Sequence, residues 1–496
     1  MNDPPGARPP FRQERLPRNP HPIGLLVSAS PARPPVPDWL VKPDAANALV
    51  EGVWPASATR DDDGVLQLAG VAVTQLKERF GTPLYVLDET EVRARARRTR
   101  AAFDRAAAAH GTAAHVYYAG KAFLSTEVVR WVTAEGLAVD VASAGELAVA
   151  LAGGAQPGRI GFHGNNKSAA EIARAVEVGV GSIIIDSDIE ISRVAEAAAA
   201  RGVVQSVRVR VNSGVHAETH DFLATAHEDQ KFGFPLDRAA EVVARIRELP
   251  SLRFDGLHCH IGSQIFGTAG FRESAARLVE VHAQLLAGGD VPVLNLGGGF
   301  GIAYTAADDP TPIEQLADGI VGAVASECAS RGIPVPIVAF EPGRAIVGTA
   351  GVTLYEVGTV KPVQASEDLQ RLYVSVDGGM SDNARPALYG AQYSARVASR
   401  TSPAEPRLAR VVGKHCESGD IVVDAEYLPG DVAPGDLLAV PATGAYCFSL
   451  ASNYNYVPRP PVVAVADGSA RVIVRGESID DLLARDAGVS PTEGTA

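Results

Sequence analysis

Cysteine, methionine and tryptophan are scarce in this chain, with four, two and three residues among 496. Four scattered cysteines (Cys259, Cys328, Cys416 and Cys447) are too few for a disulfide framework, so a reduced, cytoplasmic setting is expected. No apolar run approaches the length that spans a bilayer. The short run at 23–27 sits among prolines and does not have the form of a signal peptide, so no membrane association is expected. Positive charge is also in deficit. Lys and Arg total 45 against 58 Asp and Glu, a net charge of −13, which argues against a nucleic-acid partner because phosphate backbones select basic surfaces. Metal-ligand spacing of the HExxH kind is missing, and no metal is expected.

What is present is the texture of a globular protein, 46% hydrophobic and 21% charged, long enough for two domains. The first 40 residues hold 11 prolines and read as a disordered extension, as does the tail 486–496. From residue 82 onward, short β-branched runs alternate with Ala/Glu/Arg-rich helical stretches. The expected strands are 115–118, 138–142, 159–163, 182–186, 206–212, 254–261, 293–297 and 336–341. Strands separated by helices pair in parallel through crossovers. Eight such units in about 260 residues fit a closed (β/α)8 TIM-type barrel over 82–343, with an open doubly wound sheet as the alternative. Beyond 343, valine-rich segments with turn signals predict a mostly β C-terminal domain over 344–485. A segment at 41–81 is expected to pack with it, its stretch 64–73 pairing with that domain. The fold class is thus α/β: a barrel plus a β-rich domain.

Chemistry in such a barrel sits at the C-terminal ends of the strands, and the polar oddities cluster there. Lys121, in YYAGKAF, follows an apolar strand and is flanked by Ala and Phe. That setting is expected to desolvate the amine in part, as a Schiff-base lysine requires, although a lone lysine is usually a solvated charge. His258 and His260 lie two apart on a strand and face one way; one satisfied core histidine beside one exposed one is the plainer reading. GGGFG at 297–301 has the backbone freedom to close on phosphate oxygens. It follows the seventh strand, where a dinucleotide fingerprint would open the first unit. EPGR at 341–344 sets a carboxylate and a guanidinium around a turn. In the second domain His415-Cys416-Glu417 and Tyr446-Cys447 stand out.

The motifs YYAGKA, DVASAGEL, HGNNKS, THDFLATAHEDQKFGF, GLHCHIGSQI, LNLGGGFG, EPGR, DGGMSDNARPALYG, KHCESGD and GAYCFSLASNYN follow one another from about residue 64 to 465. In that order they resemble the alanine-racemase-type barrel of pyridoxal-phosphate enzymes, and more narrowly the diaminopimelate decarboxylase family. The resemblance implies pyridoxal 5'-phosphate as cofactor and decarboxylation of meso-2,6-diaminopimelate to L-lysine and CO2, the last step of lysine biosynthesis.

By the same resemblance Lys121 binds the cofactor covalently and His260 stacks on its ring. Ser263, Gly298, Gly299 and the run Glu341, Pro342, Gly343 and Arg344 cradle the phosphate, with Tyr446 close by. Glu341 keeps the pyridine nitrogen protonated, while Asp140 and Arg210 orient cofactor and lysine. Arg344, Arg385 and Tyr389 bind the substrate's distal carboxylate, Tyr446 also touches substrate, and Glu417 takes the distal ammonium. Cys416 is the proton donor; it and Glu417 enter from a second protomer, which implies a homodimer with shared sites. Ser213 stands where the family more often has proline, and touches none of these roles. The competing readings are a decarboxylase of ornithine, arginine or lysine, which would have no use for Arg385 and Tyr389, and a non-catalytic regulatory homologue, which intact Lys121 argues against.

Overall fold

A computed structural model describes residues 36–215, 231–367 and 369–489. The THDFLATAHEDQKFGF motif lies outside the described residues as far as 230, as do the prolines before 36 and the tail after 489. Eight parallel strands form the barrel: β1 (Ala114–Ala119), β2 (Ala138–Val141), β3 (Ile160–Phe162), β4 (Ser182–Ile185), β5 (Gln205–Asn212), β6 (Leu252–His258), β7 (Val293–Asn295) and β8 (Ile337–Phe340), and the two-residue strand Phe234–Pro235 adds to the end of β5 as a ninth member of the sheet. Each pairs with the next, β4 with β5 included, and Phe340 of β8 opposite Val116 of β1 closes the ring. The expected strands fall on these eight, and the closed barrel replaces the open-sheet alternative.

Helices follow the strands because the loop residues are caps. Ser125, Ser143 and Ser168 each accept a hydrogen bond from the amide three residues on, with a full capping box at Ser168 and Glu171. The outer position between β8 and β1 is filled by helix Glu89–Ala109, which precedes β1 in the chain and packs against Ile313–Ser330 and Thr126–Ala134.

The second sheet has nine strands and is built around the long Gly351–Ser366. Here the barrel boundary at 82 needs correction. Leu84–Asp88 is a strand of this second sheet, antiparallel to Gly351–Leu354 and parallel to Val462–Val465. All five of its residues are buried, which erases the alternation that marks a one-sided strand. The stretch 64–73 also differs from expectation. Thr59–Arg60, Leu66–Leu68 and Val71–Ala72 form a small sheet of their own, tied to the β domain by Leu66 N–H to the Ala398 carbonyl at 2.8 Å. They pack their apolar side chains against Leu84, Val352 and Val463. Among the described residues no helix is long and apolar enough to cross a membrane.

The loop after β3 is pinned by a buried ion pair. Lys167 Nζ lies 2.9 Å from Glu190 Oε2 and also donates to the Ile184 carbonyl at 2.7 Å. Lys167→Met would leave a buried carboxylate without its counter-charge and is expected to cost roughly 3–5 kcal/mol of stability. Urea unfolding checks this, and Lys167→Met combined with Glu190→Gln should recover much of the loss.

Candidate active site

The strand ends converge on one depression. Lys121 sits two residues past β1, in the single 3-10 turn Gly120–Ala122. Asp140 lies on β2, His163 directly after β3, Arg210 on β5 and His258 at the end of β6, while Glu341 follows β8. A cavity of about 330 Å³ is lined by Lys121, Asp140, His163, Arg210, His260 and Glu341, among others. Beside it a smaller recess of about 70 Å³ is lined by Ser263, Gly298, Gly299, Gly343, Arg344 and Tyr446. Lys121, His260 and Glu341 line both, so the two are halves of one site with the lysine between them. The expectation that Ala122 and Phe123 desolvate Lys121 does not hold. Both are buried, whereas Lys121 is exposed.

The floor of the larger half is a buried polar cluster. Glu341 Oε1 accepts from Asn295 Nδ2 at 2.7 Å and lies 3.1 Å from His258 Nε2 and 3.4 Å from His163 Nε2. His163 Nε2 is also 3.3 Å from Asp140 Oδ1. Burial pushes the three imidazoles down, His163 and His258 to about 4 and His260 to about 3. Burial, reinforced by the Glu341 charge, pushes Asp140 well above the usual carboxylate range. Burial acts on Glu341 in the same sense, but His258 and His163 more than offset it and hold that carboxyl well below its ordinary value. The negative charge facing the cavity is therefore set on Glu341. His163, His258 and Asn295 were legible only as parts of motifs, and no role followed from their spacing.

The smaller half is shaped by glycine. A Cβ on Gly298 would stand 2.0 Å from the Glu341 carbonyl oxygen. Gly299 has φ +108°, and a Cβ there would stand 2.4 Å from the Gly262 carbonyl, so only glycine fits at either place. Gly298 N–H donates to His260 Nδ1 at 3.4 Å and fixes that ring. Arg344 closes the recess: it donates to Tyr304 Oη and, at 2.8 Å, to Ser263 Oγ, with its guanidinium 4.7 Å from the Tyr446 ring centroid.

Not every expected residue gathers here. Arg385 is buried and lies one ring away, its guanidinium 4.7 Å from the Tyr304 centroid. Tyr389, at the other end of the short helix Arg385–Tyr389, is 70% exposed. Cys416 and Glu417 are exposed on a loop of the β domain and line neither half of the site. The root of their loop is firm. His415 is buried, 2.8 Å from Ser381 Oγ and 3.1 Å from Asn455 Oδ1, and Cys416 N–H also donates to Asn455.

Residues 89–348 match the pyridoxal-binding domain of pyridoxal-dependent decarboxylases. The chain is 51% identical over 443 residues to the diaminopimelate decarboxylase of Mycobacterium tuberculosis, covering 88% of this chain and 98% of that protein. The chain belongs to the diaminopimelate decarboxylase family. The member from Bacillus subtilis is 43% identical over 437 residues, covering 87% and 97% of the two chains. The crystal structure of the M. jannaschii enzyme of this family superposes with a TM-score of 0.81 at 30% identity, covering 88% of this chain and 99% of that one. The family's cofactor is pyridoxal 5'-phosphate, and the residues present fit it. Gly298 and Gly299 line the small recess and bring their backbone where any side chain would collide with the Glu341 and Gly262 carbonyls, and a carboxylate held well below its ordinary pKa stands across the cavity with a lysine between. Among the described residues Asp140 Oδ2 and Arg210 Nε are buried without a hydrogen-bond partner, the latter 3.9 Å from Asp186 Oδ1.

Proposed function

We propose that this chain acts as a cytoplasmic homodimer that removes CO2 from meso-2,6-diaminopimelate and releases L-lysine. The observation that carries the choice of substrate is the pair of buried arginines beside the cofactor site. Among the described residues neither Arg344 nor Arg385 has a carboxylate partner; their hydrogen bonds go to Tyr304, Ser263 and Tyr393. Two unneutralised guanidiniums suit a substrate with a second carboxylate, which ornithine and lysine do not bring to that end.

When bound, pyridoxal phosphate supplies an electron sink joined to the substrate's α-carbon. The protein's share is position and protons. Lys121, in the middle of the site, would hold the cofactor covalently. Glu341, held ionised and fixed by Asn295 and His258, keeps a proton at the pyridine nitrogen. His260 would face the ring, and Asp140 and Arg210 would orient ring and lysine. Ser263 and the backbone of Gly298, Gly299 and Glu341–Arg344 hold the phosphate, with Tyr446 beside it. Arg344, Arg385 and Tyr389 take the distal carboxylate and Glu417 the distal ammonium. As CO2 leaves with the carboxylate carbon, the Cys416 thiol gives its proton to the α-carbon, and solvent restores the thiol.

The homodimer is supported by what lies outside the single-chain cavity. Cys416 and Glu417 stand on an exposed loop, and Leu388, Tyr389 and Tyr456 are 60%, 70% and 70% exposed. Large exposed apolar side chains of this kind are what a two-fold contact would cover.

Arg385→Ala tests the substrate assignment. Leaving a desolvated carboxylate unpaired is expected to cost roughly 2–5 kcal/mol in kcat/KM for diaminopimelate, with the visible absorbance of the bound cofactor retained. Loss of the cofactor together with activity would place Arg385 in cofactor binding instead.

A further inference from the structure

Three tyrosines and two arginines alternate between the phosphate recess and the core of the β domain. The Arg344 guanidinium lies 4.7 Å from the Tyr446 centroid and 5.6 Å from that of Tyr304. Arg385 follows at 4.7 Å from Tyr304 and 5.5 Å from Tyr393, and the two tyrosine rings meet edge to face at 5.1 Å. Each arginine spends one N–H on a phenol: Arg344 Nη1 on Tyr304, and Arg385 Nη1 on Tyr393 at 2.5 Å. The far end is anchored, because Tyr393 Oη sits 3.6 Å from Cys447 Sγ, which in turn lies 3.5 Å from Asn383 Oδ1. Tyr304, Tyr393 and Cys447 are all buried.

We propose that Tyr304 and Tyr393 are positioning residues for the distal-carboxylate site, and that specificity for a substrate with a second carboxylate depends on their phenol groups. The inference rests on the assignment of Arg344 and Arg385 to that carboxylate. A buried guanidinium is usually held by an acidic side chain, which fixes its direction but cancels its charge. Stacking on ring faces and hydrogen bonds to neutral hydroxyls, the phenols of Tyr304 and Tyr393 and, for Arg344, also Ser263 Oγ, fix the direction and leave the charge. A ladder of tyrosines can therefore keep two like charges close together and aimed at one anion, where a carboxylate in their place would fill the site itself.

The holoenzyme provides the test. Removing CO2 from one end of diaminopimelate leaves the other end's carboxylate in L-lysine, so L-lysine probes the distal site as a product inhibitor, whereas 1,5-diaminopentane lacks that group. Tyr393→Phe keeps the ring and removes the acceptor. It is expected to raise KM for diaminopimelate and the inhibition constant of L-lysine at least about tenfold, with kcat held within about twofold. The inhibition constant of 1,5-diaminopentane and the cofactor's visible absorbance should not move. Tyr304→Phe, which frees Arg344, should do the same and also speed loss of cofactor on dialysis; it carries the test if Tyr393→Phe does not accumulate as folded protein. Equal weakening of L-lysine and 1,5-diaminopentane, or no change in either, would overturn the proposal. Arg385→Ala is measured alongside. If it discriminates between the two inhibitors and the tyrosine variants do not, only the positioning role falls. If it does not discriminate either, the distal-carboxylate assignment falls with it.

Discussion

Lys121→Ala is expected to reduce CO2 release by at least about 10⁴-fold, the scale of removing one member of a covalent catalytic unit. Lys121 lines both halves of the site, between the Glu341 cluster and the glycine-lined recess. Among the described residues no second lysine lines either half. Because Lys121 is exposed, the substitution should change the stability of the cofactor-free protein by no more than about 0.5 kcal/mol. The visible absorbance of the purified protein should vanish as well. Borohydride treatment followed by peptide mass analysis should find the cofactor fixed to Lys121 in the wild type and to no residue in the variant. Near-normal turnover by Lys121→Ala would remove the lysine from the chemistry.

The barrel was legible because its strands are short β-branched runs set between capped helices. The boundary at 82 put Leu84–Asp88 inside the barrel domain, although it was not one of the eight expected strands. Its partners in the second sheet lie far along the chain, where no local pattern can point. Lys121, His260, the glycines and Glu341 were found by their place at strand ends and by the family motifs. The charge state of the floor was not. That Asp140 is pushed up while Glu341 is held down depends on which imidazole faces which carboxylate, and spacing along the chain does not carry that. Tyr304 and Tyr393 gave no signal either, since two tyrosines in loops follow no period. Their function appears only once Arg344 and Arg385 are seen between the rings.

The second large effect concerns Cys416. In one chain its loop lines neither half of the site, so a partner subunit must bring it there if it is the proton donor. Lys121→Ala and Cys416→Ala homodimers should each be nearly inactive. Mixed under conditions that exchange subunits, half of the dimers become hybrids. Each hybrid has one pocket with both native residues, so activity should return to about a quarter of the wild-type value. If lysine and cysteine act within one chain, no pocket in the mixture is intact and nothing returns. Exchange itself is followed with differently tagged subunits, so that silence can be read as a result.

The central claim is that the buried arginine pair selects a substrate carrying an amino-acid group at both ends. Release of CO2 by the purified holoenzyme, measured in parallel with meso-diaminopimelate, its LL and DD isomers, L-lysine, L-ornithine and L-arginine, tests it most directly. The account predicts rapid CO2 release from meso-diaminopimelate with L-lysine formed in equal amount, and kcat/KM for the three single-carboxylate amino acids lower by at least about 10³-fold, the penalty for leaving buried charges unpaired. Comparable turnover of lysine, ornithine or arginine would contradict it.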